Sequence, residues 1–338
     1  MTEASVYPAI FAGLMGLAML IYAILDGYDL GVGILLPFSK TASNDQQRDR
    51  MIASIGPFWD ANETWLVLAV GILLVAFPKA HGVILGELYL PAAFLLVGLI
   101  LRGVSFDFRA KAAVSHKRLW DHCFRIGSLI ATLAQGYMFG RYIHGFDTSL
   151  GAYGFAVLSA ICITAGYHFI GACWLILKTD GDLQARATKW ARRSLWIMAA
   201  GILAVCIVNP LVSERIYDKW LTLPNLLLLA PIPIITFGLV LVVNQFLKGF
   251  PYSSDRFCWV PFASAVVIFI LSFHGLAYSF FPYIIPDQLT IWEAASATAS
   301  LKFMLVGVII TVPAIIGYTI YSYRVFWGKS SNLSYDAQ

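Results

Sequence analysis

PFWDANETWL, residues Pro57–Leu66, opens an apolar run that continues to Phe77 and places two carboxylates, Asp60 and Glu63, in a stretch otherwise built for hydrocarbon. An ionised side chain in the middle of a bilayer costs several kcal/mol, so carboxylates inside a span are functional candidates. Asp60 and Glu63 are three residues apart, which puts them on one helical face. One apolar run earlier, DGYDLGVG (Asp26–Gly33) repeats that spacing with Asp26 and Asp29. Two acid pairs on consecutive spans predict one polar spot.

Composition sets the class around that spot. The chain of 338 residues is 59% hydrophobic and 12% charged, against roughly 25% charged residues in a soluble domain. It reads as an all-α polytopic membrane protein in contact with the lipid bilayer. The net charge of +4 gives no reason to expect nucleic acid as a partner. Five cysteines form no CxxC pair and most lie in apolar runs, so neither a disulfide framework nor a metal site is indicated. No basic segment precedes the first apolar run, which therefore reads as a span rather than a cleaved signal.

Apolar runs long enough to cross the bilayer number nine, at approximately 8–37, 54–77, 82–102, 122–143, 152–177, 194–213, 223–247, 259–281 and 300–325. Backbone in lipid must hydrogen-bond within its own segment, so these are helices. Pro91, Pro231, Pro233 and Pro313 fall within spans and predict kinks. Gly27 and Gly31 make a small-xxx-small step beside Asp29, which admits a neighbouring backbone. Segments after the odd-numbered spans carry 17 of the 23 Lys and Arg residues, Lys40 among them. The N-terminus is therefore expected outside and the C-terminus inside. On that orientation Asp60 lies about 9 Å from the inner start of its span. Asp26 and Asp29 fall in the same inner half, within reach of cytoplasmic water.

The plain alternative for the acids is that they lock helices together, with Arg102 as a partner. Four acids on two spans outnumber one arginine, which favours a proton path through Asp60, Glu63, Asp29 and Asp26. RGVSFDFRAK (Arg102–Lys111) sets Arg102, Asp107 and Arg109 at the inner surface, as an ion-pair loop or an anchor for a partner or an acidic lipid head group. His168 and His274 are the two histidines well inside spans, and such a pair could ligate a heme iron. A histidine bonded to a nearby carbonyl is the simpler reading of each. Trp59 and Trp65 flank the acids and face opposite ways on their span.

DGYDLGVG, PFWDANETWL and RGVSFDFR, in that order, resemble subunit II of the cytochrome bd-type quinol oxidases, including the cyanide-insensitive branch. LTIWEAAS from Leu289 and the closing Tyr321, Tyr323, Phe326, Trp327 and Gly328 also fit. The resemblance implies nine transmembrane helices arranged as a four-helix bundle over about 8–143, a second over 152–281 and a peripheral helix at 300–325. It implies a multi-pass protein of the bacterial cytoplasmic (inner) membrane, paired with a heme-bearing subunit I. Two b-type hemes and one d-type heme would belong to subunit I, with no cofactor bound by this chain alone. The complex would oxidise quinol and reduce O2 to water, taking protons from the cytoplasm.

The resemblance also leaves room for a structural quinone or lipid in this chain and for small single-span accessory subunits. Residue by residue, Asp60, Asp29 and Asp26 match acids of a proton uptake route, while Glu63 stands where members vary. Trp65 matches a tryptophan beside a lipid-side oxygen entrance. Arg102 and Asp121 match charges that support assembly, with Asp107 and Arg109 in the same inner segment. The rival readings are a proton-coupled secondary transporter and a heme b electron-transfer protein.

Overall fold

The computed structural model describes residues 3–38, 41–111, 114–250 and 255–330. Lys40, one of the basic residues expected on the inner side, lies outside them. The described chain is helical apart from connections and one short hairpin. In order it comprises α1 (Glu3–Leu35), α2 (Ala42–Ile55), α3 (Trp59–Ala76), α4 (Pro78–Lys111), α5 (Val114–Ile143), α6 (Leu150–Lys178) and α7 (Gly181–Val212). Then come α8 (Glu214–Leu221), α9 (Asn225–Leu229), α10 (Pro231–Gly249) and α11 (Val260–Phe280). The antiparallel pair β1 (Tyr283–Ile285) and β2 (Leu289–Thr290) leads into α12 (Ile291–Ala294) and α13 (Thr298–Val325).

Eight described segments are long and apolar enough to cross a membrane, so the chain is an integral, polytopic, all-α membrane protein. They are α1, α3, α4, α6, α7, the α9–α10 pair, α11 with the turn before it, and α13. The expected span at 122–143 is the 30-residue helix α5, which is not among these eight. Arg125, Gln135 and Arg141 dilute its apolar content. Surface and interior follow the inverted logic of a lipid environment. Val67, Leu96, Ile100, Ile234, Phe303 and Ile310 are exposed, while Asp26, Asp29 and Arg102 are wholly buried.

Several boundaries differ from those the sequence predicts. The connection between the first two expected spans is itself a helix, α2, started by Thr41, whose hydroxyl accepts a hydrogen bond from the Asn44 amide. Its hydropathy is too low to register as a span, yet Met51, Ile52 and Ile55 are buried in the core. Pro57 consequently lies in the turn between α2 and α3 rather than in a first helical turn. The seventh span is interrupted: α9 ends at Leu229 and α10 restarts with Pro231 in its first turn. Pro91 and Pro313 stay inside continuous helices.

Packing around α1 sets the site. α1 lies against α3, α5 and α6. Its crossing with α6 brings backbones together at Gly31 and Gly171, where a Cβ on Gly171 would lie 2.6 Å from the carbonyl carbon of Gly31. That is the close approach anticipated from the Gly27/Gly31 step. α13 leans on α3 and α1 with almost its whole surface open.

Candidate functional site

The predicted acids come from α1 and α3, and the cation that meets them comes from α4. Asp26 and Asp29 sit one turn apart on the buried side of α1, at 0% exposure. Arg102, at 0% exposure on α4, donates from Nη1 to Asp26 Oδ1 at 2.6 Å. Its Nη2 lies 3.4 Å from Glu63 Oε1, and the Glu63 side chain keeps 26% of its exposure. One guanidinium therefore stands between a sealed carboxylate and one that reaches the surface of the chain. Removing a charge from water costs several kcal/mol per ion, and mutual attraction offsets this only with close geometry. Asp26 and Arg102 have that geometry.

Asp29 has a different partner. Asn62 on α3, also fully buried, donates from Nδ2 to Asp29 Oδ2 at 2.7 Å and to the Tyr28 hydroxyl at 3.0 Å. The Tyr28 hydroxyl lies 2.5 Å from that of Tyr323 near the end of α13, and the Tyr323 hydroxyl donates to Asn62 Oδ1 at 3.2 Å. A second polar line runs through α1, α5 and α6. Gln135 donates to the Tyr22 hydroxyl at 2.6 Å and accepts from Tyr167 at 2.8 Å.

The structure thus joins Asp26, Asp29 and Glu63 around Arg102. Asp60 lies on the other side of α3 and is exposed. The reason is the helical period: Asn62, Trp65 and Ala69 face α1, while Asp60, Thr64 and Val67 face outward. Asn62, Tyr28, Tyr323, Tyr22 and Gln135 were not singled out from sequence as site residues. Asn62 lies inside PFWDANETWL, and its position one step off the acidic face was the available signal. Tyr323, some 260 residues away, had none.

Closure of the site also differs from the sequence expectation. Toward α2, Tyr28 stacks on Trp174 with centroids 4.1 Å apart, and Phe58 stacks on Tyr323 at 4.6 Å. Trp174 Nε1 donates to the Ser54 carbonyl of α2 at 3.2 Å. These rings and α2 cover Asp26 and Asp29, so Glu63 is the acid of the cluster that reaches the chain surface. The depth of the acids alone did not reveal that cover.

Trp65 is buried against Ala18, Tyr22 and Ala69, with Ile315 of α13 beside it. Its indole N–H has no hydrogen-bond partner among the described residues. Where α2, α4 and α5 meet, Asp121 accepts from Arg109 Nε at 2.5 Å and pairs with Arg48 Nε at 3.1 Å. Arg109 also reaches Asp49 at 2.5 Å. Asp121 and Arg109 thereby tie α2, α4 and α5 together, whereas Asp107 is exposed and forms no ion pair among the described residues. His168 is half-buried on α6, with Nδ1 unpartnered among the described residues, and His274 is exposed on α11. No group of three or more His, Cys, Asp and Glu among the described residues is placed to hold a metal ion.

Comparison with known proteins places this geometry. The family model for cytochrome bd terminal oxidase subunit II matches residues 7–326. The chain is 30% identical over 330 residues to the cytochrome bd ubiquinol oxidase subunit 2 of Bacillus subtilis (strain 168), covering 91% of this chain and 92% of that one. It is 29% identical over 361 residues to the cytochrome bd-I ubiquinol oxidase subunit 2 of Escherichia coli (strain K12), covering 94% and 93%. Among solved structures, the bd oxidase from Geobacillus thermodenitrificans shares the fold with a TM-score of 0.77 at 18% identity, over 95% of this chain and 98% of that one. The chain belongs to the cytochrome bd terminal oxidase subunit II family and is a component of a quinol:O2 oxidoreductase complex.

Proposed function

We propose that this chain is the non-catalytic partner of a heme-bearing subunit I in the bacterial cytoplasmic membrane, and that it passes protons through its buried acids. The observation that carries the reading is Arg102 at 0% exposure, shared between buried Asp26 and partly open Glu63. Such a cluster in an apolar span is costly, and intramembrane ionisable groups of this kind mark proton relays. Arg102 keeps a negative charge tolerable on either side of it. A proton can then reside on one carboxylate while its neighbour stays ionised. Asp60, exposed three residues before Glu63, would face subunit I and continue the path to it.

On this reading α5 is the ninth span, its polar side chains turned inward: Gln135 meets Tyr22, and Arg125 donates to the Leu36 carbonyl. α1, α3, α4 and α5 make the first four-helix bundle, the segments from α6 to α11 the second, and α13 the peripheral helix. The basic residues favour an outer N-terminus and an inner C-terminus. Trp65, with Ile315 of α13 packed beside it, suits a lining position on an oxygen route. The two b-type hemes and the d-type heme belong to subunit I. His274 on the open surface of α11 and His168 half-buried on α6 do not fit a shared heme iron, so no step in this chain is routed through one. Arg109 and Asp121 serve assembly by fixing the inner ends, and Asp107, exposed beside them, is free for the partner.

The test is Asp60→Asn in the assembled oxidase. Quinol-driven O2 consumption should slow, or heme retention should fall. Unchanged turnover, proton uptake and heme content would remove Asp60 from the route.

A further inference from the structure

The proton path proposed above lacks an inlet, because α2 and the packed rings of Phe58, Trp174 and Tyr28 cover the acids where cytoplasmic water would otherwise arrive. One opening reaches the cluster from that end. A crevice of about 690 Å³ lies between α1 and the last turns of α13, lined by Leu25, Thr319, Ile320, Tyr323, Arg324 and Trp327. Arg324 and Trp327 are exposed, and residues of these types mark the head-group level of a bilayer, where water is present. Tyr323 is the lining residue with a foot in the buried network. Its hydroxyl contacts Tyr28 at 2.5 Å and Asn62 at 3.2 Å, and Asn62 holds Asp29 at 2.7 Å.

We propose that Tyr323 is the point at which cytoplasmic protons enter this chain, handing them through the amide of Asn62 to the carboxylate of Asp29. The inference rests on the proton-path reading and names its inlet. Water in the crevice gives a proton to the Tyr323 oxygen while Tyr323 gives its own to Asn62 Oδ1 along the 3.2 Å hydrogen bond, and Asn62 gives one from Nδ2 to Asp29 Oδ2 along the 2.7 Å one. The phenol oxygen gains one proton and releases one. The amide gains one on Oδ1 and releases one from Nδ2, passing through its imidic acid form and resetting when a proton returns from oxygen to nitrogen, so the net change is one proton moved from water to the carboxylate. The proton arrives on Oδ2, the atom that Asn62 holds. Tyr28 is a positioning residue: its hydroxyl accepts from Asn62 Nδ2 at 3.0 Å and lies 2.5 Å from the Tyr323 hydroxyl, which fixes both relay groups. The end of α13 is held for this task. Lys178 of α6 donates to the carbonyls of Phe326 at 2.9 Å and Gly328 at 3.1 Å, which anchors the segment just beyond Tyr323.

The experiment compares Tyr323→Phe, Leu25→Phe and Asp29→Asn in the intact two-subunit oxidase in proteoliposomes. O2 consumption is measured in H2O and in D2O, with the heme spectrum recorded for each variant. Tyr323→Phe should lower turnover roughly tenfold or more, as loss of a proton-transfer group does. The solvent isotope effect should rise and the heme spectrum stay unchanged, a combination that a purely structural role of the phenol would not produce. Leu25→Phe narrows the crevice while leaving every hydrogen bond in place, and should act in the same direction if Tyr323→Phe fails to assemble. Wild-type turnover and isotope effect in Tyr323→Phe, or in Leu25→Phe where only that variant assembles, would overturn the inlet while a slowed Asp29→Asn kept the path. Wild-type behaviour of Asp29→Asn would overturn both.

Discussion

Replacing Arg102 with methionine isolates the ion pair at the centre of the cluster. Arg102 and Asp26 both have side chains at 0% exposure and meet at 2.6 Å, and Glu63 lies 3.4 Å from the other arm of the guanidinium. Methionine fills much of the space but leaves Asp26 buried without its cation, one turn from Asp29. Removing one member of a buried pair costs about 3–5 kcal/mol, because the survivor stays uncompensated. That is a fall of roughly two to three and a half orders of magnitude in the folded-to-unfolded ratio. Asp26→Asn should cost less, since Arg102 still has Glu63, and the double variant should fall between the two because no unpaired charge remains at Asp26. The assay is an SDS titration of the intact complex in dodecyl maltoside, followed by far-UV circular dichroism and heme absorption. A loss of about 1 kcal/mol or less in Arg102→Met, the scale of a solvent-exposed pair, would refute the reasoning. The carboxylates would then be hydrated in the folded protein, and their closure by α2 and the aromatic rings would not hold.

Gly31→Ala should weaken the junction of α1 with α6. The added Cβ would overlap the backbone carbonyl oxygen of Tyr167 and stand 3.0 Å from the Cα of Gly171, and because backbone cannot swing aside the cost lies at or above the upper end of the about 1–3 kcal/mol of ordinary overpacking. The same titration reads the loss, and Gly13→Ala is the control, since nothing lies within 4 Å of its Cβ. Equal behaviour of the two variants would count against the close crossing. After the β1–β2 hairpin, hydrogen bonds from the Thr290 amide and hydroxyl hold the Glu293 carboxyl below its ordinary range. A carboxyl with a lowered folded value stabilises above its unfolded value of about 4.3 and loses that contribution as pH falls through the lower, folded one. Hydrogen exchange over 290–294, corrected for its intrinsic pH dependence, should therefore accelerate on acidification below about pH 4. Glu293→Gln should remove the pH dependence, and protection that persists in the wild type to pH 3 would contradict the assignment.

Much of the fold could be read from hydropathy because lipid leaves the backbone few choices. An apolar run of about 20 residues becomes a helix, wherever it packs. The exceptions have the same cause. α2 is too polar to register as a span, and its helical state depends on burying Met51, Ile52 and Ile55 against the core. α5 sits at the margin because Arg125, Gln135 and Arg141 are satisfied by partners on other elements or on the following loop. The acids themselves were legible as costly groups, and Asp26, Asp29 and Glu63 do come together with Arg102. The outward turn of Asp60 was not legible. A three-residue spacing places two groups on one face but leaves open which way that face points, and Glu63 reaches Arg102 from its edge.

By itself, then, the sequence determined a membrane-embedded helical chain, the set of carboxylates worth asking about, and the arginine able to answer them. Those properties are local: they follow from the transfer free energy of each side chain and the pitch of a helix. Only the tertiary structure decided that Asn62 fixes Asp29, that the acids are closed off beneath α2, and that Tyr323 reaches them from the far end of the chain. Those contacts join α1, α3 and α13 across more than 250 residues. Which phenols and which carboxylate meet the Asn62 amide depends on how three helices cross, and no spacing along one helix encodes that.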